Sequence, residues 1–232
     1  MGALQRLHVI HTATHDSIGM GEGGPTHQPI EVAALFRATP NLLFIRPGDS
    51  EEAAGAWIAA VRATRTPALI STSRHRLPQL APHTRREGVL RGAYVLEEED
   101  AADVTVIGVG AELGIAVAAA ERLRSGYGCR VRLVSFPSHR LFEMQDVTYR
   151  RDVLRRHLDI PAVVIEPYAA LGWERYADAA VCMSMDRFGH SLPCEEVYRF
   201  FGFDSTTISS KIWKYLNQVK TGEVHRREFV EL

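Results

Sequence analysis

Apolar positions along the chain follow two alternating rhythms. "LHVIHTAT" (7–14) carries β-branched residues at the short spacing of a strand, and "PIEVAALFRAT" (29–39) puts Val32, Leu35 and Phe36 on one helical face with Pro29 in the first turn. "NLLFIRP" (41–47) predicts a second strand. "DSEEAAGAWIAAVRAT" (49–64) predicts a helix capped by Asp49 or Ser50 with acids in its first turn, and "PALIST" (67–72) a third strand. This alternation implies a mostly parallel sheet with right-handed crossovers and a ligand edge at the C-terminal ends of its strands.

A polar, Pro- and Arg-rich connector, "SRHRLPQLAPHTRREGVLRG" (73–92), separates this unit from a second one. There "DVTVIGVG" (103–110) reads as a buried strand, "AELGIAVAAAERLRS" (111–125) as a helix, and "CRVRLVSF", "AVVIEP" and "AAVCMS" as further strands. "EEVYRFFGF" and "STTISSKIWKYLNQVK" close the chain as helices, with Ser205 or Thr206 placed to cap the second. The expected class is α/β: two three-layer units with mostly parallel sheets, divided into residues 1–88 and 89–232. Three strands and two helices cannot cover both faces of a parallel sheet, so the first unit reads as truncated at its N-terminus, with an exposed edge.

Composition narrows the function without naming it. With 232 residues, 46% hydrophobic and 24% charged, the chain is long enough for one large or two small cores. A formal net charge of -1 gives no long-range attraction to nucleic acid or acidic membranes, and neither is expected as a partner. Cys129, Cys182 and Cys194 are widely spaced, form no C-x-x-C and cannot all pair, which fits a reducing, cytoplasmic setting. The N-terminal residues lack a signal-peptide hydrophobic region. No apolar run approaches the roughly 20 residues needed to cross a bilayer.

The chemistry concentrates in "THDSIGMGEGGPTHQPIE" (14–31). His11, His15, His27, Asp16 and Glu22 are metal-ligating types, but a strand carrying His11 spreads four residues over about 13 Å, so no shared ion is expected and His11 reads as a sheet residue. Gly19-Met-Gly21-Glu-Gly-Gly24 matches G-x-G-x-x-G in form, yet its helix begins too late to aim an N-terminus at a phosphate. Gly108-Val-Gly110 sits at a strand-to-helix turn, but Glu112 would oppose a pyrophosphate and no ribose-binding acid ends the next strand. Serine-hydrolase and phosphate-loop motifs do not occur.

The loop 14–31, followed by "RPGDSEEAAGAW" and "PALISTSRHRLPQL", resembles the pyrimidine-binding domain of transketolases. "GAYVLEE", "GVGAELGIAVAAAERL", "VRLVSFPS" and "DRFGHSLPCEEVYRFFGF" resemble that family's C-terminal domain in the same order. The resemblance implies that His27 stands beside the reactive carbon of thiamine diphosphate, where it can hydrogen-bond substrate oxygens and assist proton transfer. It implies that His15 and Arg74 hold the phosphate end of a sugar phosphate, and that His27 is also the one residue here that could touch the cofactor.

Two departures from the family pattern shape the expectation. Where transketolases carry an aspartate that reads a substrate hydroxyl, in "GEDGPTH", this chain has Gly23, which should weaken discrimination for that hydroxyl. The glutamate that activates the cofactor's aminopyrimidine and the G-D-G motif that clamps the metal to its diphosphate have no counterpart here; "PGDS" (47–50) is the nearest string. The resemblance therefore implies the C-terminal component of a split transketolase-like transferase, moving a ketol or acyl unit to an aldehyde-type acceptor. Thiamine diphosphate and a divalent metal would be bound only with a partner chain that carries the diphosphate domain and the missing part of the pyrimidine domain. Homo-oligomers and a small phosphorylated or carbonyl substrate fit the same expectation. Two rival readings are a non-catalytic interaction or regulatory subunit, and a thiamine-independent enzyme using His15 and His27 for acid–base chemistry.

Overall fold

In the computed structural model, residues 1–225 and 228–232 are described. The first unit holds α1 (Gly2–Gln5), β1 (Ile10–Ala13), α2 (Val32–Ala38), β2 (Leu43–Ile45), α3 (Ser50–Arg62), β3 (Ala68–Ser71) and α4 (Arg86–Leu90). Next come β4 (Tyr94–Glu97), β5 (Val104–Gly108), α5 (Leu113–Tyr127), β6 (Val131–Ser135), α6 (His139–Glu143) and α7 (Val147–Leu154). The chain ends with β7 (Ala162–Ile165), β8 (Ala179–Val181), α8 (Cys194–Phe200), α9 (Ser205–Thr221) and β9 (Val230–Glu231).

Two sheets result, in the orders β1-β3-β2 and β4-β6-β5-β7-β8-β9, with every pairing parallel except β4 with β6. Burial explains the strand sequences. The runs in β5, β6 and β7 are buried residue after residue, as expected of central parallel strands covered on both faces. β1 is the opposite case: it lies at the sheet edge, and His11 and Thr12 are exposed.

Element ends show where tertiary contacts override local pattern. Asp49 caps α3 by accepting the Glu52 N–H at 2.9 Å. Glu52 in turn does not face solvent: its carboxylate accepts from the Gly48 N–H (2.7 Å), the Tyr94 hydroxyl (2.8 Å) and the Ser135 hydroxyl (2.5 Å), tying the start of α3 to the second sheet. Burial holds the Glu52 pKa above the ordinary carboxylate value. The cap of α9 is Asp204, one residue before the expected Ser205, accepting from the Thr206 and Thr207 N–H groups. Pro29 stays outside α2 because its neighbours hold the second unit: Ile30 accepts the Ala169 N–H at 2.9 Å, and Gln28 hydrogen-bonds His190. Residue 88 lies inside α4, whose Val89 shares a core with Ala56, Ala59 and Ala60 of α3.

Candidate functional site

The C-terminal ends of parallel strands from both sheets face one another, and the loop 14–31 lies between them. Gly21 and Gly24 have φ of +45° and +64°, and a Cβ at Gly21 would lie 2.4 Å from the Leu192 carbonyl oxygen, so glycine lets segment 189–194 approach the loop backbone. Gln28 completes that contact. Its Nε2 donates to the carbonyls of Gly21 (3.1 Å) and His190 (3.0 Å), while its Oε1 accepts the His190 N–H at 2.8 Å.

This packing brings His15 and His27 together, with ring centroids 5.2 Å apart and planes tilted by 47°. Both line a cleft of about 360 Å³ with Gln28, Glu31 and Phe188. The Thr14 hydroxyl lies 2.8 Å from His15 Nδ1 and the Thr26 hydroxyl 2.9 Å from His27 Nδ1, fixing each ring by its own neighbour. The His15 pKa is lowered from its ordinary value, first by burial and then by the electrostatic influence of Arg74 and of the neighbouring His27. Arg74, exposed after β3, is thus felt at His15 although it does not line the cleft. A neutral imidazole can accept or donate one hydrogen bond to an incoming oxygen, and a guanidinium within electrostatic reach attracts an anion. His11 remains apart as an exposed residue of the edge strand.

Beneath the histidines lies a buried ion network that the linear sequence does not display. The guanidinium of Arg46, following β2, is fully buried and donates to both oxygens of Asp16 (2.7 and 3.0 Å), to Glu112 (3.1 Å) and to Glu166. It also lies 4.2 Å from the centre of the Tyr168 ring. Asp16, adjacent to His15, further accepts from the Ser71 hydroxyl (2.8 Å), the Ala111 N–H (3.1 Å) and the Tyr168 hydroxyl (3.2 Å). Glu166 is forked by Arg37 at 2.7 and 2.6 Å and accepts the Trp173 indole N–H at 2.6 Å. Burial works to raise the Glu166 pKa, but Arg37 and Arg46 outweigh it and hold the group at about 2. Glu112, on the turn after β5, accepts from the Ser17 hydroxyl (2.5 Å) and the Tyr198 hydroxyl (2.8 Å). For this group burial outweighs Arg46, and with Asp16 close by its pKa is pushed up to about 7. The turn that resembled a nucleotide loop thus serves to bring a carboxyl to Arg46, and Gly110, at φ +54°, has no room for a Cβ because Asp16 Oδ2 would lie 2.5 Å away.

Among the described residues, no three His, Cys, Asp or Glu side chains come together in a way that could hold a metal ion. The diphosphate of a thiamine cofactor, which is bound through a divalent metal, therefore finds no donor set among them. Phe188, 74% exposed at the mouth of the cleft, was not expected from sequence, because nothing in the spacing of "DRFGHSLP" ties it to a loop about 160 residues earlier.

Sequence profiles match this chain in two places: "Transketolase, pyrimidine binding domain" over residues 1–79, and "Transketolase-like TK C-terminal domain" over residues 92–204. Dihydroxyacetone synthase of Candida boidinii is 50% identical over 232 residues, covering all of this chain and 32% of that protein. A solved transketolase mutant from Pichia stipitis superposes with a TM-score of 0.89 at 35% identity, over 95% of this chain and 32% of its own. A structure described as a split gene transketolase, inactive beta4 tetramer, shares the fold with a TM-score of 0.66 at 22% identity, over 90% of this chain and 66% of its own. The chain thus spans about a third of the length of the Candida boidinii and Pichia stipitis proteins.

Proposed function

The chain belongs to the transketolase family, and we propose that it supplies the substrate-facing wall of a thiamine diphosphate-dependent ketol transferase whose cofactor and metal are held by other polypeptide. The observation that carries this reading is the pairing of His15 and His27 in one cleft at the strand ends. In it, His27 holds or moves a proton at a substrate oxygen, and His15 with Arg74 binds the anionic end of the donor. The bound cofactor would supply the carbanion chemistry of ketol transfer; this chain binds, orients and shields the substrate. The existence of a split gene transketolase with the same fold supports division of the active site between chains.

Gly23 points to the acceptor. Dihydroxyacetone, from which the half-identical relative takes its name, is a two-carbon ketol unit joined to a one-carbon aldehyde. A position that offers no carboxylate to an acceptor hydroxyl suits a short aldehyde that has none.

The test is purification from the native source under mild conditions, with mass spectrometry of bound chains and a thiamine diphosphate assay. The expected result is a co-purifying diphosphate-domain chain, cofactor, and transfer of a ketol unit to short aldehydes. His27→Ala should lower that rate by about 10²- to 10⁴-fold with the complex intact. A folded, cofactor-free chain without partner, or full activity in the His27 variant, overturns the reading.

A further inference from the structure

Away from the histidine cleft, two other clefts adjoin, of about 270 and 430 Å³, with Glu143, Arg175 and Tyr176 in the walls of both. Arg150, Arg151 and Arg156 line the first, and Arg37 and Arg140 the second. Acids do not balance these cations. Glu143 accepts from Arg150 (2.5 Å) and Arg175 (2.7 Å) on one oxygen and from the Tyr176 hydroxyl (2.8 Å) on the other, so one carboxylate serves two guanidinium groups. Arg37 is bound to Glu166 and Arg156 to Asp178. Glu174, the other acid in the second cleft, accepts the Gly172 N–H at 2.8 Å. Arg140 and Arg151 form no ion pair among the described residues.

Two buried polar atoms on the same walls lack a partner: Nε of Arg150 and Nε2 of His139. An unpartnered buried guanidinium nitrogen is rare in folded proteins; here it belongs to a residue lining the first cleft, and the unpartnered imidazole nitrogen to one lining the second. Burial, reinforced by the charges of Arg37, Arg46 and Arg175, holds the His139 pKa well below its ordinary value. The floor of the first cleft is apolar, formed by Phe142, Val147 and Leu154.

We propose that this paired cleft is a second, non-catalytic binding site for an organic phosphate, its phosphate taken by Arg150, Arg151 and Arg175 and its apolar body by Phe142, Val147 and Leu154. A carboxylate is satisfied by one guanidinium fork, whereas three arginines around one cleft suit the three free oxygens of a phosphate ester. The site shares no lining residue with the cleft of His15 and His27.

Calorimetric titration with phenyl phosphate and with inorganic phosphate, at about 0.15 M salt where long-range attraction is screened, tests the assignment on the chain with any partner retained. With the histidine cleft disabled by His15→Ala and Arg74→Ala, phenyl phosphate should bind one-to-one and about tenfold more tightly than inorganic phosphate. Arg151→Glu should weaken it by about tenfold or more. Arg151 is exposed and unpaired among the described residues, so the variant should melt like the parent. The double variant His15→Ala, Arg74→Ala should retain this one saturable site for phenyl phosphate. Absence of saturable binding, indifference to Arg151→Glu, or loss in the double variant overturns the site. Equal affinity for the two probes overturns the organic-phosphate class.

Discussion

A Cβ at position 23 would lie 2.9 Å from the Cβ of His27 and 3.1 Å from Met20 Cγ. The backbone of Gly23 is not in the left-handed region, so the glycine is there for space beside His27 and not for a turn. Gly23→Asp therefore does two things at once: it presents a carboxylate to an acceptor hydroxyl and displaces His27 by a few tenths of an ångström. If the proposed enzyme is reconstituted, the ratio of kcat/KM for an α-hydroxylated aldehyde over an unhydroxylated one should rise by about ten- to a hundredfold, mostly through a loss on the unhydroxylated substrate. An unchanged ratio would remove Gly23 from the specificity argument. That His15 and His27 lie on one contiguous loop was legible in the sequence; the approach of their rings and the shortage of space at Gly23 were not, since both depend on the rotamers the histidines take.

At the level of elements, the ion network joins four strand ends, and its geometry makes a stability argument. Two guanidinium groups, Arg37 and Arg46, face three carboxylates, Asp16, Glu112 and Glu166. The surplus acid is the one whose burial lifts its pKa to about 7. Because Glu112 binds its proton more tightly folded than unfolded, its contribution is fully present below the ordinary carboxylate value and is lost as pH rises through about 7. Glu166 has the opposite sign: its contribution is present above the ordinary value and is lost as pH falls toward about 2. Other buried groups act over the same range, with Glu52 raised and His75 and His139 lowered, so the readout is the difference between two proteins. Glu112→Gln mimics the protonated acid, and denaturant midpoints measured from pH 5 to 8 should fall less steeply with pH than in the parent. Parallel curves would mean that Glu112 is ionised throughout. The alternation of the main strands and helices was readable from periodicity, although α1, α4, β4, α6, α7 and β9 were not, and neither was this network: the partners of Arg46 lie 30, 66 and 120 residues away, and no local pattern marks which acid a buried arginine will meet. The same limit explains Pro29 and Ile30, which sit in a helix-like pattern but are held out of α2 because Ile30 and the preceding Gln28 have partners in the second unit.

For the whole molecule, the decisive feature is the open side of the three-stranded sheet. In the parallel register of β1 with β3, the carbonyls of Val9 and Ala13 accept from Ala68 and Thr72, so alternate residues of β1 are committed to β3. The intervening backbone groups of Ile10 and Thr12 point to the free edge, and Thr12 is exposed. An edge strand with unpaired N–H and C=O groups is a template for strand addition by a complementing chain. Thr12→Pro removes one outward N–H, and proline is tolerated on an edge strand where that N–H has no partner in its own sheet. The variant should melt within about 1 kcal/mol of the parent yet bind the proposed diphosphate-domain chain at least about tenfold more weakly, since a ladder bond and the approach of the neighbouring strand are both lost. His11→Ala, whose backbone is turned toward β3, should leave the affinity nearly unchanged and serves as the control. If Thr12→Pro binds the partner as tightly as the parent does, the chains meet elsewhere, and assembly must then be sought on surfaces such as the exposed Trp57 and Val61 face of α3.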